Sequence, residues 1–163
     1  MNLADNKIYY EGSRYLAQAL KSNKVLKHLS LKLNKLDDKA GSKLCIDLLN
    51  SNSELESLSL SSNALQHMFC ESLAEFLKKN KSIKSLDISC NLIDDTNAAT
   101  LKTSLRDNDT IVEIDVRNNQ LSDETEEEIN EIITRNYLAS KNIPFKKLAD
   151  YAMGPSGGAT NAA

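Results

Sequence analysis

Four segments of this chain align without a gap: LKHLSLKLNKL (26–36), LESLSLSSNAL (55–65), IKSLDISCNLI (83–93) and IVEIDVRNNQL (111–121). Each reads LxxLxLxxNxL with aliphatic substitutions. Their asparagines, Asn34, Asn63, Asn91 and Asn119, are spaced 29, 28 and 28 residues apart. Stepping back 28 residues from Asn34 reaches Asn6, with Leu3 and Ile8 in the matching apolar positions, so a clipped repeat opens the chain. A fixed period of this length is the signature of a stacked repeat architecture, in which no unit buries its own apolar face and stability comes from neighbours.

Between these segments the apolar spacing changes from two to four. Leu16 and Leu20, Leu44 and Leu48, Leu73 and Leu77, Leu101 and Leu105, and Ile129 and Ile133 are paired at four-residue steps, which places each pair on one helix face. Asp37 and Asp38, Asp94 and Asp95, and Ser122 and Asp123 stand where helices should begin and supply caps for free N–H groups. A second asparagine series, Asn23, Asn52, Asn80, Asn108 and Asn136, closes each helix, and we expect these residues in the left-handed conformation that ends helices. The sequence matches to an N-glycosylation acceptor at Asn80 and Asn108 fall in this series and are read as structural.

One strand and one helix per 28–29 residues resembles the leucine-rich-repeat superfamily, in its ribonuclease-inhibitor type, over residues 1–136. The resemblance implies an α/β solenoid of about five repeats, with parallel strands on the concave face and helices on the convex face. It also implies that Asn6, Asn34, Asn63, Asn91 and Asn119 turn inward as structural asparagines to satisfy backbone groups of the loop leaving each strand. The last repeat, from the aliphatic-Asp-aliphatic-Arg strand at 114–117 into a Glu-rich helix, is similar to that of the axonemal dynein regulatory complex leucine-rich-repeat subunit. Actin-capping and inhibitor members of the superfamily share the same architecture.

Period-two alternation sends the residues between the strand leucines to the concave surface. That face is predicted to carry His28, Ser30, Lys32 and Lys35, then Ser57, Ser59 and Ser61, then Ser85, Asp87 and Ser89, then Glu113, Asp115 and Arg117. It grades from basic through serine to acidic, either as a protein-binding groove or as a polar face that meets water. The acidic stretch at 123–131 reads as a solvated helix face, with a docking patch as the other reading.

Little else in the chain suggests chemistry. His28 and His67 lie in no metal-binding motif, and GxxxxGK[ST] and GxGxxG are absent. Cys45 and Cys70 fall on helix faces, and with Cys90 they form no CxxC pair, which suits free thiols in a reducing compartment. The net charge of −3 gives no electrostatic footprint for nucleic acid. No apolar run is long enough for a membrane span, and the N-terminal residues do not read as a signal peptide. The expectation is therefore a non-enzymatic protein-interaction module, without cofactor, metal or small-molecule substrate. It is expected in the cytoplasm, as a structural subunit of a multi-subunit cytoskeletal or ciliary, axonemal assembly. The alternative is a soluble regulator that binds an enzyme or actin through the concave face.

After Asn136 the repeat pattern stops. Residues 137–153 are expected to form a C-terminal cap in which Tyr137, Leu138, Ile143, Phe145, Leu148 and Tyr151 cover the last repeat, and residues 154–163 have the composition of a flexible tail. The opening in mid-repeat leaves a parallel strand edge that invites cover by another protein or by a preceding segment.

Overall fold

A computed structural model describes residues 1–49 and 54–145. In chain order the elements are α1 (Tyr10–Leu20), β1 (His28–Ser30), α2 (Asp38–Leu49), β2 (Ser57–Ser59), α3 (His67–Lys79), β3 (Ser85–Asp87), α4 (Asp95–Arg106), β4 (Glu113–Asp115) and α5 (Asp123–Ser140). The strands form one parallel sheet in the order β1-β2-β3-β4. Its register sets Leu29, Leu58, Leu86 and Ile114 in one row, and Ser30, Ser59, Asp87 and Asp115 in the next. Residues 1–5 extend the sheet at the β1 edge. Asn2 bridges to Ser30, and the N–H groups of Leu3 and Asp5 donate to Ser30 O (2.9 Å) and Lys32 O (3.0 Å).

Each strand is short because the chain turns sharply just before each repeat asparagine. The preceding residue is left-handed every time: Asp5 (φ 57°), Leu33 (55°), Ser62 (58°), Cys90 (54°) and Asn118 (58°). For a residue with a β-carbon this costs about 1–2 kcal/mol. The turn persists because the asparagine side chain that follows it is bonded on every side. Asn91 Nδ2 donates to Leu60 O, Ile88 O and Ser89 O, and its Oδ1 accepts from the N–H groups of Asn63 (2.9 Å) and Leu65 (3.1 Å). Asn63 and Asn34 repeat this pattern one and two steps earlier, and Asn119 repeats it with Ile88 O, Val116 O and the Ile93 N–H. Asn6 differs. Its side chain is exposed and, among the described residues, donates only to Ala4 O.

The helix-closing asparagines do not behave as expected. None of Asn23, Asn80, Asn108 and Asn136 has a positive φ, and Asn80 is extended (φ −63°, ψ 127°). Asn52 lies outside the described residues. What these side chains do is tie the helix-to-strand loop from within: Asn80 Oδ1 accepts from Ser82 and Ile83, Asn108 Oδ1 from Thr110 and Ile111, and Asn23 Oδ1 from Val25 and Leu26. Such loops need a side-chain acceptor more than a left-handed residue, because their buried N–H groups have no strand partner. Asn136 lies inside α5, which continues to Ser140, and donates to Asn108 O and Ile111 O of the previous repeat.

The acidic doublets divide their work between repeats. Asp37, Asp94 and Ser122 cap their own helices through the N–H groups of Ala40, Asn97 and Thr125. Asp38 reaches forward. Its carboxylate accepts from Gln66, Met68 and Phe69 at 2.8–2.9 Å, at the start of α3, whose own N-cap residue Gln66 offers no side-chain cap. Asp95 likewise accepts from the Ser122 N–H at 2.9 Å.

The core runs between sheet and helices as one stack of Leu31, Leu60 and Ile88, of Leu36, Leu65 and Ile93, and of Leu44, Leu73 and Leu101, all buried. Gly41 on α2 allows α3 to approach, since a β-carbon there would overlap Leu65 Cδ2 and lie 3.0 Å from Phe69 Cδ2. In the last turn of α5 Tyr137 is exposed and Leu138 half-buried, and beyond the helix Ile143 is exposed and Phe145 half-buried. Leu148, Tyr151 and the expected tail at 154–163 lie outside the described residues. No described helix is long and apolar enough to cross a membrane.

Candidate protein-binding face

The sheet face opposite the helices presents the residues alternating with the strand leucines, but they are not equally available. His28, Lys32, Glu113 and Arg117 are exposed, and Ser30, Ser57, Ser59, Ser85, Asp87 and Asp115 are half-buried. Ser61 and Ser89 are buried, at 1 % and 8 % exposure, and drop out of the accessible face. They lie where the concave surface closes against the following turn, and their hydroxyls bond each other at 3.0 Å. Lys35 is exposed on the rim loop, off the sheet. The left-handed turn at Leu33 ends the alternation before Lys35 is reached, and its N–H donates to Ile8 O.

The centre of the face is organised by Asp87, the one acid among serines. Its carboxylate accepts from Ser59 Oγ (2.8 Å) and Ser89 Oγ (2.7 Å), and also from the Ser89 N–H (3.1 Å). Sequence alternation marks Asp87 as a face residue and gives no sign that it gathers three donors from two repeats. One repeat on, Arg117 donates to Asp115 from Nε (3.0 Å) and from Nη2 (2.7 Å). That hydrogen-bonded guanidinium holds the Asp115 carboxyl below its ordinary range against the opposing effect of partial burial, with the Lys32 charge as a minor aid. The face thus presents a polar network in which the Ser59, Ser61 and Ser89 hydroxyls are already engaged, with Lys32 exposed at the β1 end and Glu113 at the β4 end.

Other candidate groups are drawn into structure. Burial pushes the Cys70 thiol up to about 12 and raises Cys45 further in the same direction, so both are unreactive packing residues. Cys90 is exposed at its left-handed turn, with Asn118 Nδ2 at 3.6 Å from its sulfur. His67 Nδ1 lies 3.1 Å from Asn97 Oδ1, and His28 is exposed on the sheet face. In the acidic stretch of α5, Glu128 bonds Lys102 (3.0 Å) and Arg106 (3.2 Å), which lowers its pKa and ties α5 to α4, while Glu124 and Glu127 stay exposed. A parallel tie on the opposite rim joins Glu56 to Lys27 (2.6 Å) and Lys84 (3.2 Å) across three successive repeats. Among the described residues no group of three His, Cys, Asp or Glu side chains is placed to hold a metal ion.

The asparagine ladder and the one-strand, one-helix stack meet an independent finding. The family model described as Leucine Rich repeat matches residues 22–45 and 79–101. This chain is a leucine-rich-repeat solenoid. Among solved structures, the repeat stack is similar to leiomodin-1 actin-binding site 2, with a TM-score of 0.74 and 18 % identity over 87 % of this chain and 82 % of that one. It is also similar to the tropomodulin C-terminal domain of Caenorhabditis elegans, with a TM-score of 0.53 and 14 % identity over 82 % of this chain and 96 % of that one. At these identities the likeness speaks to the fold. No curated protein matches the sequence.

Proposed function

We propose that this chain is a non-catalytic protein-binding module of a cytoskeletal assembly, with actin as its partner. The observation that carries the reading is the leiomodin-1 match, which is nearly coextensive: 87 % of this chain pairs with 82 % of leiomodin-1 actin-binding site 2. The tropomodulin C-terminal domain is a second neighbour of the same length class. The proposed contact surface is the graded face, with His28 and Lys32 at one end, Ser30, Ser57, Ser59 and Ser85 along the middle, and Glu113, Asp115 and Arg117 at the other. It has no aromatic anchor of the sort that dominates binding energy, so it works through electrostatic register, and single contacts there are modest. High-speed cosedimentation with actin filaments, together with a fluorescence titration of monomeric actin, tests the proposal. We expect retention in one of the two assays and its loss on Lys32→Glu. A chain that binds neither form overturns the actin assignment.

A second reading, a subunit of a ciliary axoneme, is favoured by the resemblance of the strand at 114–117 and its Glu-rich helix to the axonemal subunit. Recovery of axonemal proteins, and no actin, by the full chain from a ciliary extract would select it.

A further inference from the structure

The loop that carries each strand into its helix runs along one rim of the stack, and the loops of neighbouring repeats are bonded backbone to backbone. Leu33 N–H donates to Ser61 O (3.0 Å), Lys35 N–H to Ile8 O (2.9 Å) and Leu92 N–H to Leu65 O (3.0 Å). Residues at one repeat position therefore form a row along the rim that advances by about 5 Å per repeat, the ordinary spacing of paired strands. The row just before the ladder asparagine is Asp5, Leu33, Ser62, Cys90 and Asn118, and the row just after it is Lys7, Lys35, Ala64, Leu92 and Gln120.

Leu33 is the anomaly of the first row. Its φ of 55° is a conformation that asparagine and aspartate tolerate and a bulky side chain disfavours, and Asn118 and Asp5 fill the same position in other repeats. The leucine gains little from the core in return, since it is 51 % exposed. Strain held at an exposed apolar residue has no structural reward, which points to function. A lone exposed leucine would be ordinary. Here Ala64 and Leu92, the latter 41 % exposed, continue the apolar stretch over the next two repeats. Lysines lie beside it: Lys7, Lys35 and Lys39 are exposed, and no ion pair among the described residues engages them. Lys39 lies over the Tyr10 ring, 5.1 Å from its centroid. The nearby acids Asp37 and Asp38 are turned to backbone N–H groups of Ala40 and of the start of α3, and Asp5, one repeat before Leu33, is exposed.

We infer that this rim strip docks an amphipathic α-helix of another protein, apolar along one face and acidic at one end. Spacing and charge together select that occupant. Leu33 and Leu92 stand two repeats apart, about 10 Å, and helix residues at i and i+7 are about 10.5 Å apart along the axis, so two turns of one helix face match two steps of the rim. The side chain between them, at i+3 or i+4, falls over Ala64, where the small residue leaves it room. Carboxylates one turn before the first apolar residue meet Lys7, Lys35 and Lys39, and acidic residues are themselves favoured in the opening turn of a helix. Apolar contact supplies affinity, and the lysines fix register. The strip is separate from the sheet face and does not rest on the actin reading.

Fluorescence anisotropy of a labelled helical peptide titrated with the full 163-residue chain tests this. The probe is an alanine-based helix of about 18 residues, long enough to hold its shape, with glutamates in its opening turns and leucines at i, i+4 and i+7 after them. The expected result is saturable binding that weakens as salt rises. Leu33→Asn and Lys35→Glu should each weaken it by about tenfold or more, for the leucine the worth of covering a half-exposed side chain. Leu33→Asn should melt no lower than the parent, because asparagine accepts the left-handed backbone, so its lost binding is not unfolding. A peptide with lysines in place of the glutamates should not bind. A parent chain that leaves the acidic peptide unbound overturns the proposal. So does either variant at parental affinity, or equal binding of the lysine peptide. Binding to phosphatidylserine vesicles with none to the peptide also overturns it, and assigns the strip to a lipid surface.

Discussion

In the case of Asn91 a single asparagine is bonded to five buried backbone groups of two successive repeats. Removing the amide strands buried donors and acceptors with no water to take over, which costs far more than a net exposed hydrogen bond. Asn91→Ala should therefore lose about 3 kcal/mol in a denaturant melt, on the basis of roughly 1–3 kcal/mol per stranded group with partial relaxation. Asn6→Ala, at the same repeat position but exposed, should melt within about 0.5 kcal/mol of the parent. Equal losses at the two sites would mean that repeat position, and not burial of the bonded groups, sets the energy.

At the scale of the element, helix packing turns on two glycines that look alike in sequence. Replacing glycine in a helix by alanine favours the helix by about 1 kcal/mol. At Gly41 this gain is outweighed, because the new β-carbon meets Leu65 and Phe69, both fully buried and unable to withdraw, and overpacking costs about 1–3 kcal/mol. At Gly12 the nearest atom is the Cγ2 of half-buried Ile8 at 2.9 Å, which can rotate toward solvent. Thermal melts should place Gly41→Ala below the parent and Gly12→Ala level with it or above. The helix starts give a pH signature. The Ser122 N–H, and after it the Thr125 hydroxyl, hold the Asp95 carboxyl below its ordinary range. A depressed folded-state pKa contributes stability that is present above the unfolded value, about 3.9, and is lost as pH falls through the folded one. Asp95→Asn should accordingly melt lower than the parent at neutral pH, and the two melting temperatures should converge as the pH drops below the ordinary aspartate range. A gap that persists in acid would assign the loss to packing and not to the charge.

Across the whole molecule, stability is a sum of repeats and their interfaces. A core residue is worth most where neighbours cover it on both sides. Leu58, in a central strand, is buried, and Ile114, its equivalent in β4, is half-buried at the open edge. Leu58→Ala should cost about 2–5 kcal/mol and Ile114→Ala distinctly less, since the β4 site can collapse toward solvent and its side chain has less to lose. Chemical denaturation of the two variants checks the gradient.

The repeat period and the strand and helix phases could be read from the residues alone, because each follows from a local rule applied four times over: alternation for the strands and four-residue steps for the helices. The inward asparagines followed from the resemblance to the leucine-rich-repeat superfamily, and Asn6, exposed, departs from it. The concave face was legible as a list of positions and not as a surface. Alternation cannot show that Ser61 and Ser89 are buried, that Asp87 collects the hydroxyls of neighbouring repeats, or that the turn at Leu33 carries Lys35 off the sheet. Nor could the sequence assign the acidic doublets, whose second member bonds the start of the next repeat's helix, 28 residues on for Asp38 and 27 for Asp95. Those outcomes depend on which repeat stands beside which and at what distance. A rule of local propensity contains no such information, and stacking supplies it.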